Sequence, residues 1–160
     1  MSALIAFVGN ALLVLGLVLS LYVAFCWGEM AGIAFGDPAR AVEVLGAIQS
    51  PATLARLEAA HGLGEVLRAS SPIAHPQWPG ARVRSPLILR VGVADERAYT
   101  EERFGPITLV VETATTAESL ATAERVIREQ GAITFAVYST DPAVVAGAEE
   151  AALGVGVALS

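Results

Sequence analysis

One thiol, two imidazoles and one acidic run ending in Phe-Gly-Pro are the side chains here whose types and spacing could do chemistry. Cys26 lies between Phe25 and Trp27 in an apolar stretch, with no His or Arg beside it. A nucleophilic thiolate needs electropositive surroundings, so this cysteine reads as an inert apolar side chain. His61 and His75 fall in or beside Gly- and Pro-rich segments. A metal would need further ligands at suitable spacing, and none converge in sequence, so both read as solvated loop histidines. The run Glu101-Glu102-Arg103-Phe104-Gly105-Pro106 is different in kind. Within six residues it combines carboxylate acceptors, an aromatic face and two residues that control backbone shape. Read alone, it would be a pair of solvated acids with Phe104 as a core anchor. Its flanks decide whether it is more.

Those flanks alternate strand and helix. Residues 107–112 are continuously apolar up to Glu112, the character of a strand covered on both faces, as in parallel sheets. A helix follows from 116, with Leu120, Ala123 and Ile127 in one stripe and Gly131 as its stop. Residues 133–138 read as a strand, Asp141-Pro142 opens a helix running to Ala152, and 155–159 read as a last strand. Strand, helix, strand, helix, strand implies crossovers and a parallel α/β sheet. Upstream, Asp37-Pro38 and Ser50-Pro51 each open a helix, the second carrying Leu54, Leu57 and Ala60 on its buried side. Residues 65–69 and 87–93 are strand-like, 95–103 a charged turn or helical turn. Pro72, Pro76, Pro79 and Pro86 make 70–86 a loop.

The N-terminal 36 residues do not read as part of that body. From Ala3 to Trp27 there is no charge, and only Asn10 and Ser20 are strongly polar. A helix of that length would reach roughly 37 Å, more than the ~30 Å hydrocarbon core of a bilayer. The expectation is a membrane-spanning helix over 3–27 in contact with lipid, with Tyr22 and Trp27 toward one interface. Arg40, the nearest cation, places the C-terminal body on the cytoplasmic side; without a genuine span the chain would be cytoplasmic. The absence of a basic segment before the run argues against a signal peptide. A stretch so rich in Ala, Val, Leu and Gly also suits an out-of-frame reading of GC-rich, bacterial-type DNA, as does the use of Arg with no Lys. The division is thus 1–36 as an apolar helix and 37–160 as the folded body, large enough to bury about 65% of its unfolded surface.

The formal charge of −6 falls entirely after Gly28, and no cluster of Arg interleaved with aromatics occurs. Phosphate neutralisation needs clustered positive charge, which excludes nucleic acid as the expected partner. The lone cysteine excludes an internal disulfide.

In order and spacing, the parts from the acidic run onward resemble the aldehyde dehydrogenases. Two acids leading into Phe104-Gly105-Pro106, the strand after them, the helix, the strand followed by Thr140-Asp141, and a final helix and strand all match. Residues 37–46 (Asp-Pro-Ala-Arg-Ala-Val-Glu-Val-Leu-Gly), and Gly131-Ala132-Ile133-Thr134 with Tyr138-Ser139-Thr140, resemble the branch associated with phenylacetic acid degradation. The resemblance covers about 37–160. It implies the C-terminal part of the catalytic domain, a parallel sheet with flanking helices. It implies that Glu102 accepts hydrogen bonds from the nicotinamide ribose hydroxyls and that Phe104 packs near the nicotinamide ring of NAD or NADP.

The resemblance also implies what these residues lack. In the family the cysteine nucleophile, the general base and the dinucleotide-binding domain lie before the matched region. No catalytic residue and no metal ligand is named. The expectation is a fragment of an NAD(P)-dependent enzyme that oxidises an aldehyde to an acid, inactive and binding no coenzyme by itself, with weak binding of the dinucleotide through Glu102 and Phe104 as a further alternative. Ending in the strand-like 155–159, it would leave an open sheet edge and be poorly soluble. Relatives form homo-oligomers, which carries over to this chain only by resemblance. The rival reading is a single-pass membrane protein whose small α/β domain binds a partner and does no catalysis.

Overall fold

The structure, a computed structural model, describes residues 3–8, 11–15, 41–42, 45–101, 103–132 and 134–160, with the backbone alone described at 3–8, 11–15 and 134. The elements are β1 (Ala3–Val8), β2 (Ala11–Leu15), α1 (Pro51–Ala60), β3 (Glu65–Arg68), β4 (Pro72–Ile73), β5 (Val83–Arg84) and β6 (Leu87–Gly92). They are followed by α2 (Glu96–Thr100), β7 (Ile107–Thr113), α3 (Thr116–Gln130), β8 (Thr134–Tyr138), α4 (Pro142–Val155) and β9 (Ala158–Leu159).

Among the described residues, seven strands form one sheet in the order β3-β6-β7-β1-β2-β8-β9. β6 pairs parallel with β7, Leu87 opposite Ile107 through Gly92 opposite Glu112, and β8 pairs parallel with β9. β2 runs parallel to β8, while β1 is antiparallel to both β2 and β7, and β3 antiparallel to β6. The sheet is therefore mixed, parallel along β6, β7, β2, β8 and β9. The burial patterns follow position in the sheet. β7 has neighbours on both sides and buries every residue except Glu112. β6, next to the edge strand, alternates, with Leu87, Leu89 and Val91 inward and Arg90 outward.

Helix ends follow from local side-chain chemistry. Ser50 Oγ accepts from Ala52 N at 3.1 Å, and Asp141 Oδ1 from Ala143 N at 2.9 Å, each with Pro in the first turn. At α3, Thr115 Oγ1 accepts from Glu118 N while Glu118 Oε2 accepts from Ala114 N, a reciprocal cap. α3 and α4 pack on each other, α3 against β1, β2 and β7, and α4 against β8 and β9. α1 enters the same core through Leu57 and Ala60, which belong to one buried cluster with residues of β6, β7, α2 and α3. Full burial of a Leu contributes about 1.5–3 kcal/mol, so Leu57 is the main fastening of α1.

Two expectations are corrected. Residues 3–8 and 11–15, the first half of the expected membrane-spanning helix, are strands lodged between β7 and β8. A short apolar run carries no periodicity that separates helix from doubly covered strand, and here two strand edges are available to pair with it. The rest of that expected span lies outside the described residues. No helix among the described residues is long and apolar enough to cross a membrane. At the other end, α4 continues to Val155 and not only to Ala152, leaving the last strand just Ala158–Leu159. Gly156, at φ 71°, takes the left-handed conformation, and its N–H closes onto Ala152 and Leu153, so it is the residue that stops the helix. Upstream, Ala41 and Val42 are helical, and the remainder of the expected helix from Asp37 lies outside the described residues. The 70–86 loop contains the small β4–β5 pair.

Candidate functional site

The Phe104-Gly105-Pro106 turn joins α2 to β7, and the described residues on either side of it are held by hydrogen bonds. Tyr99, at 4% exposure, donates its hydroxyl to Val93 O at 2.6 Å and closes the loop in which α2 begins. Burial raises the Tyr99 phenol above its ordinary value of 10.0, and the hydrogen bond from Arg125 opposes that shift. Arg125 reaches across from α3 to pair with Glu96 at 3.0 Å, tying α2 to the helix layer.

Beyond α2 the backbone becomes extended at Glu101. Arg103 folds back: its guanidinium meets Glu101 Oε2 at 2.8 Å and the carbonyls of Ala98 and Arg97 at 3.4 Å. Those carbonyls belong to the last turn of a helix and have no partner within it, so Arg103 acts as the cap of α2. Gly105 has φ 147°, a conformation that side chains rarely adopt, and a Cβ there would also stand 3.4 Å from the Thr53 methyl. Ile107 N donates to Gly105 O and Leu87 N to Pro106 O, both at 2.8 Å, which carries the turn into β7 and its neighbour β6.

Phe104 is 62% exposed, so it is not the core anchor that its type suggested when read alone. Its carbonyl accepts from Arg56 Nη1 at 2.7 Å. Arg56 is on α1, 48 residues away, and no local sequence signal pointed to it. Thr53, one turn earlier on α1, faces the same turn. The turn is therefore built from three places: its own Gly and Pro, the α2 cap at Arg103, and the α1 pair Thr53 and Arg56. Glu102 lies outside the described residues, between Glu101 and Arg103, whose positions are set.

The histidines occupy other places. His61 follows α1, its Nδ1 3.2 Å from the carbonyls of Leu57 and Glu58. His75 Nδ1 accepts from Gln77 N and Trp78 N, each at 3.2 Å, in the Pro-rich loop. No group of three or more His, Cys, Asp or Glu among the described residues could hold a metal. Cys26 lies outside the described residues. Chemically, the turn can present a flat aromatic side chain from a held backbone, which is equipment for binding and orienting a ring-bearing ligand.

No protein-family model matches this chain, and no curated protein matches it. Among solved structures it is similar to the crystal structure of the NAD-dependent aldehyde dehydrogenase from Burkholderia multivorans, with a TM-score of 0.79 and 48% sequence identity. The match covers 83% of this chain and 24% of that one, so the chain spans about a quarter of that enzyme's length. The α/β fold described above is thus that of one part of an aldehyde dehydrogenase, and this likeness supports the aldehyde dehydrogenase superfamily as its home.

Proposed function

We propose that this chain is the section of an NAD(P)-dependent aldehyde dehydrogenase, of the phenylacetic acid degradation type, that forms the wall against the coenzyme's nicotinamide end. The observation that carries the reading is the exposed Phe104 ring on a turn whose backbone is fixed from three sides. An aromatic face left bare on a rigid turn fits the edge of a planar ring, which is the part of the coenzyme that the resemblance assigns to it. In this reading the Glu102 carboxylate accepts from the paired ribose hydroxyls, a task suited to a group with two acceptor oxygens. What a bound dinucleotide supplies to such an enzyme is a hydride acceptor.

The chain's residues alone supply binding and not bond making. Its single thiol, Cys26, sits in an apolar run, and no described side chain is poised beside a nucleophile as a base. We therefore expect no aldehyde-dependent formation of NAD(P)H by the purified chain. Sustained turnover would overturn that part of the proposal.

The coenzyme contact is tested separately, by saturation transfer from the protein to the nicotinamide protons of NAD. Two contacts must offset the cost of immobilising a ligand, so affinity should be weak, on the order of millimolar. Glu102→Ala should lower it roughly tenfold, the scale of one hydrogen bond to a charged group. Equal transfer to wild type and variant would remove Glu102 from the reading.

A further inference from the structure

A residue exposed to 62% is not aimed by packing, so the direction of the Phe104 side chain depends on the backbone beneath it. That backbone is held unevenly. The Pro106 carbonyl is engaged by Leu87 N at the start of β6 and so is secured by the sheet, whereas the Gly105 carbonyl is taken by Ile107 N, two residues on, within the turn itself. The Phe104 carbonyl is held by a side chain, the Arg56 guanidinium at 2.7 Å. Arg56 precedes Leu57, whose fully buried side chain fastens α1 to the core. Thr53, three residues before Arg56 and so on the same side of the helix, lies against Gly105. One face of α1 thus backs the turn with a methyl and a permanently charged planar donor.

We infer that Arg56 is a positioning residue: it clamps the Phe104 carbonyl and so fixes the angle at which the Phe104 ring meets a planar ligand. The clamp rests on the coenzyme reading above only for the identity of that ligand, a nicotinamide ring. Arginine suits the task because its guanidinium stays charged at any working pH and holds its donors in a rigid plane. A lysine would keep the charge but lose the fixed direction.

The test uses the full chain labelled for NMR, as wild type, Arg56→Ala and Arg56→Lys, with NAD as the probe. Arg56→Ala is expected to speed amide exchange at Ile107, whose N–H closes the turn onto Gly105, by roughly five- to tenfold, the scale of one exposed charged hydrogen bond. The helical amides of α3 should be unchanged, and transfer between the nicotinamide protons and Phe104 should fall by a similar factor. Arg56→Lys should recover part of both effects. Unaltered exchange at Ile107 in Arg56→Ala would overturn the proposal. So would equal acceleration throughout the chain, which would make Arg56 merely structural. If the turn loosens but wild type shows no transfer from NAD, the clamp stands and the coenzyme reading falls.

Discussion

Phe104 and Trp78 are both aromatic rings left largely in solvent, 62% and 65% exposed, on Pro-containing turns, yet their turns are built in opposite ways. Under Trp78 everything is local. His75 Nδ1 takes the N–H groups two and three residues ahead, the two rings meet edge-on at 6.5 Å, and Ala81 N returns to Trp78 O at 2.9 Å. Under Phe104 the decisive bond spans 48 residues, from a helix elsewhere in the core. A turn closed by its own neighbours survives damage at a distance. A turn closed by another element inherits every weakness in how that element is docked.

The sharpest way to separate the two is to undermine α1. Leu57→Ala should destabilise the chain by about 2–5 kcal/mol, the usual range for emptying a fully buried leucine site, measured by urea denaturation. In the folded population that remains, amide exchange around Phe104 should rise while the Trp78 indole resonance keeps its position. A shifted indole with a quiet Phe104 turn would reverse the comparison. Removing the cap of α1 is gentler. Ser50→Ala deprives Ala52 N of its side-chain acceptor and should cost about 1 kcal/mol, with fraying that reaches Thr53 before Arg56. His75→Ala should have the smallest effect on stability, within about 0.5 kcal/mol for an exposed loop, because water can replace the lost acceptor. It should move the Trp78 indole resonance and leave the Phe104 turn untouched, and a change at Ile107 would show that the turns communicate.

The same contrast between local and distant causes explains which parts were readable in advance. β7, α3 and β8 were legible because each is written in its own residues. β7 is an apolar run, α3 has its Leu120, Ala123 and Ile127 stripe and a Gly131 stop, and β8 is a β-prone stretch before Ser139. The end of α4 was misjudged because Gly154 and Gly156 offer two stops in quick succession. The helix ends at Gly156, with Val155 packed against the core. The 3–15 run was misjudged for a deeper reason. Leu, Val, Ile and Ala without charge satisfy a lipid-facing helix and a doubly covered strand equally well. Its partners, β7 and β8, are about a hundred residues away in sequence.

At the candidate site the division falls in the same place. Phe104, Gly105 and Pro106 could be singled out from their spacing and flanks. Thr53 and Arg56 could not, since an exposed helical Arg looks like any other solvated charge until the turn is folded against it.

From its residues alone, the chain determined its α/β character, most of its helix boundaries and the composition of the turn that bears Phe104, because caps, glycine conformations and apolar runs act over a few residues. Tertiary structure alone decided that Phe104 faces solvent, that Arg56 holds the backbone beneath it, and that residues 3–8 and 11–15 pair as strands. Hydrogen bonds and burial between distant segments exist only once the elements have docked, and no local pattern records them.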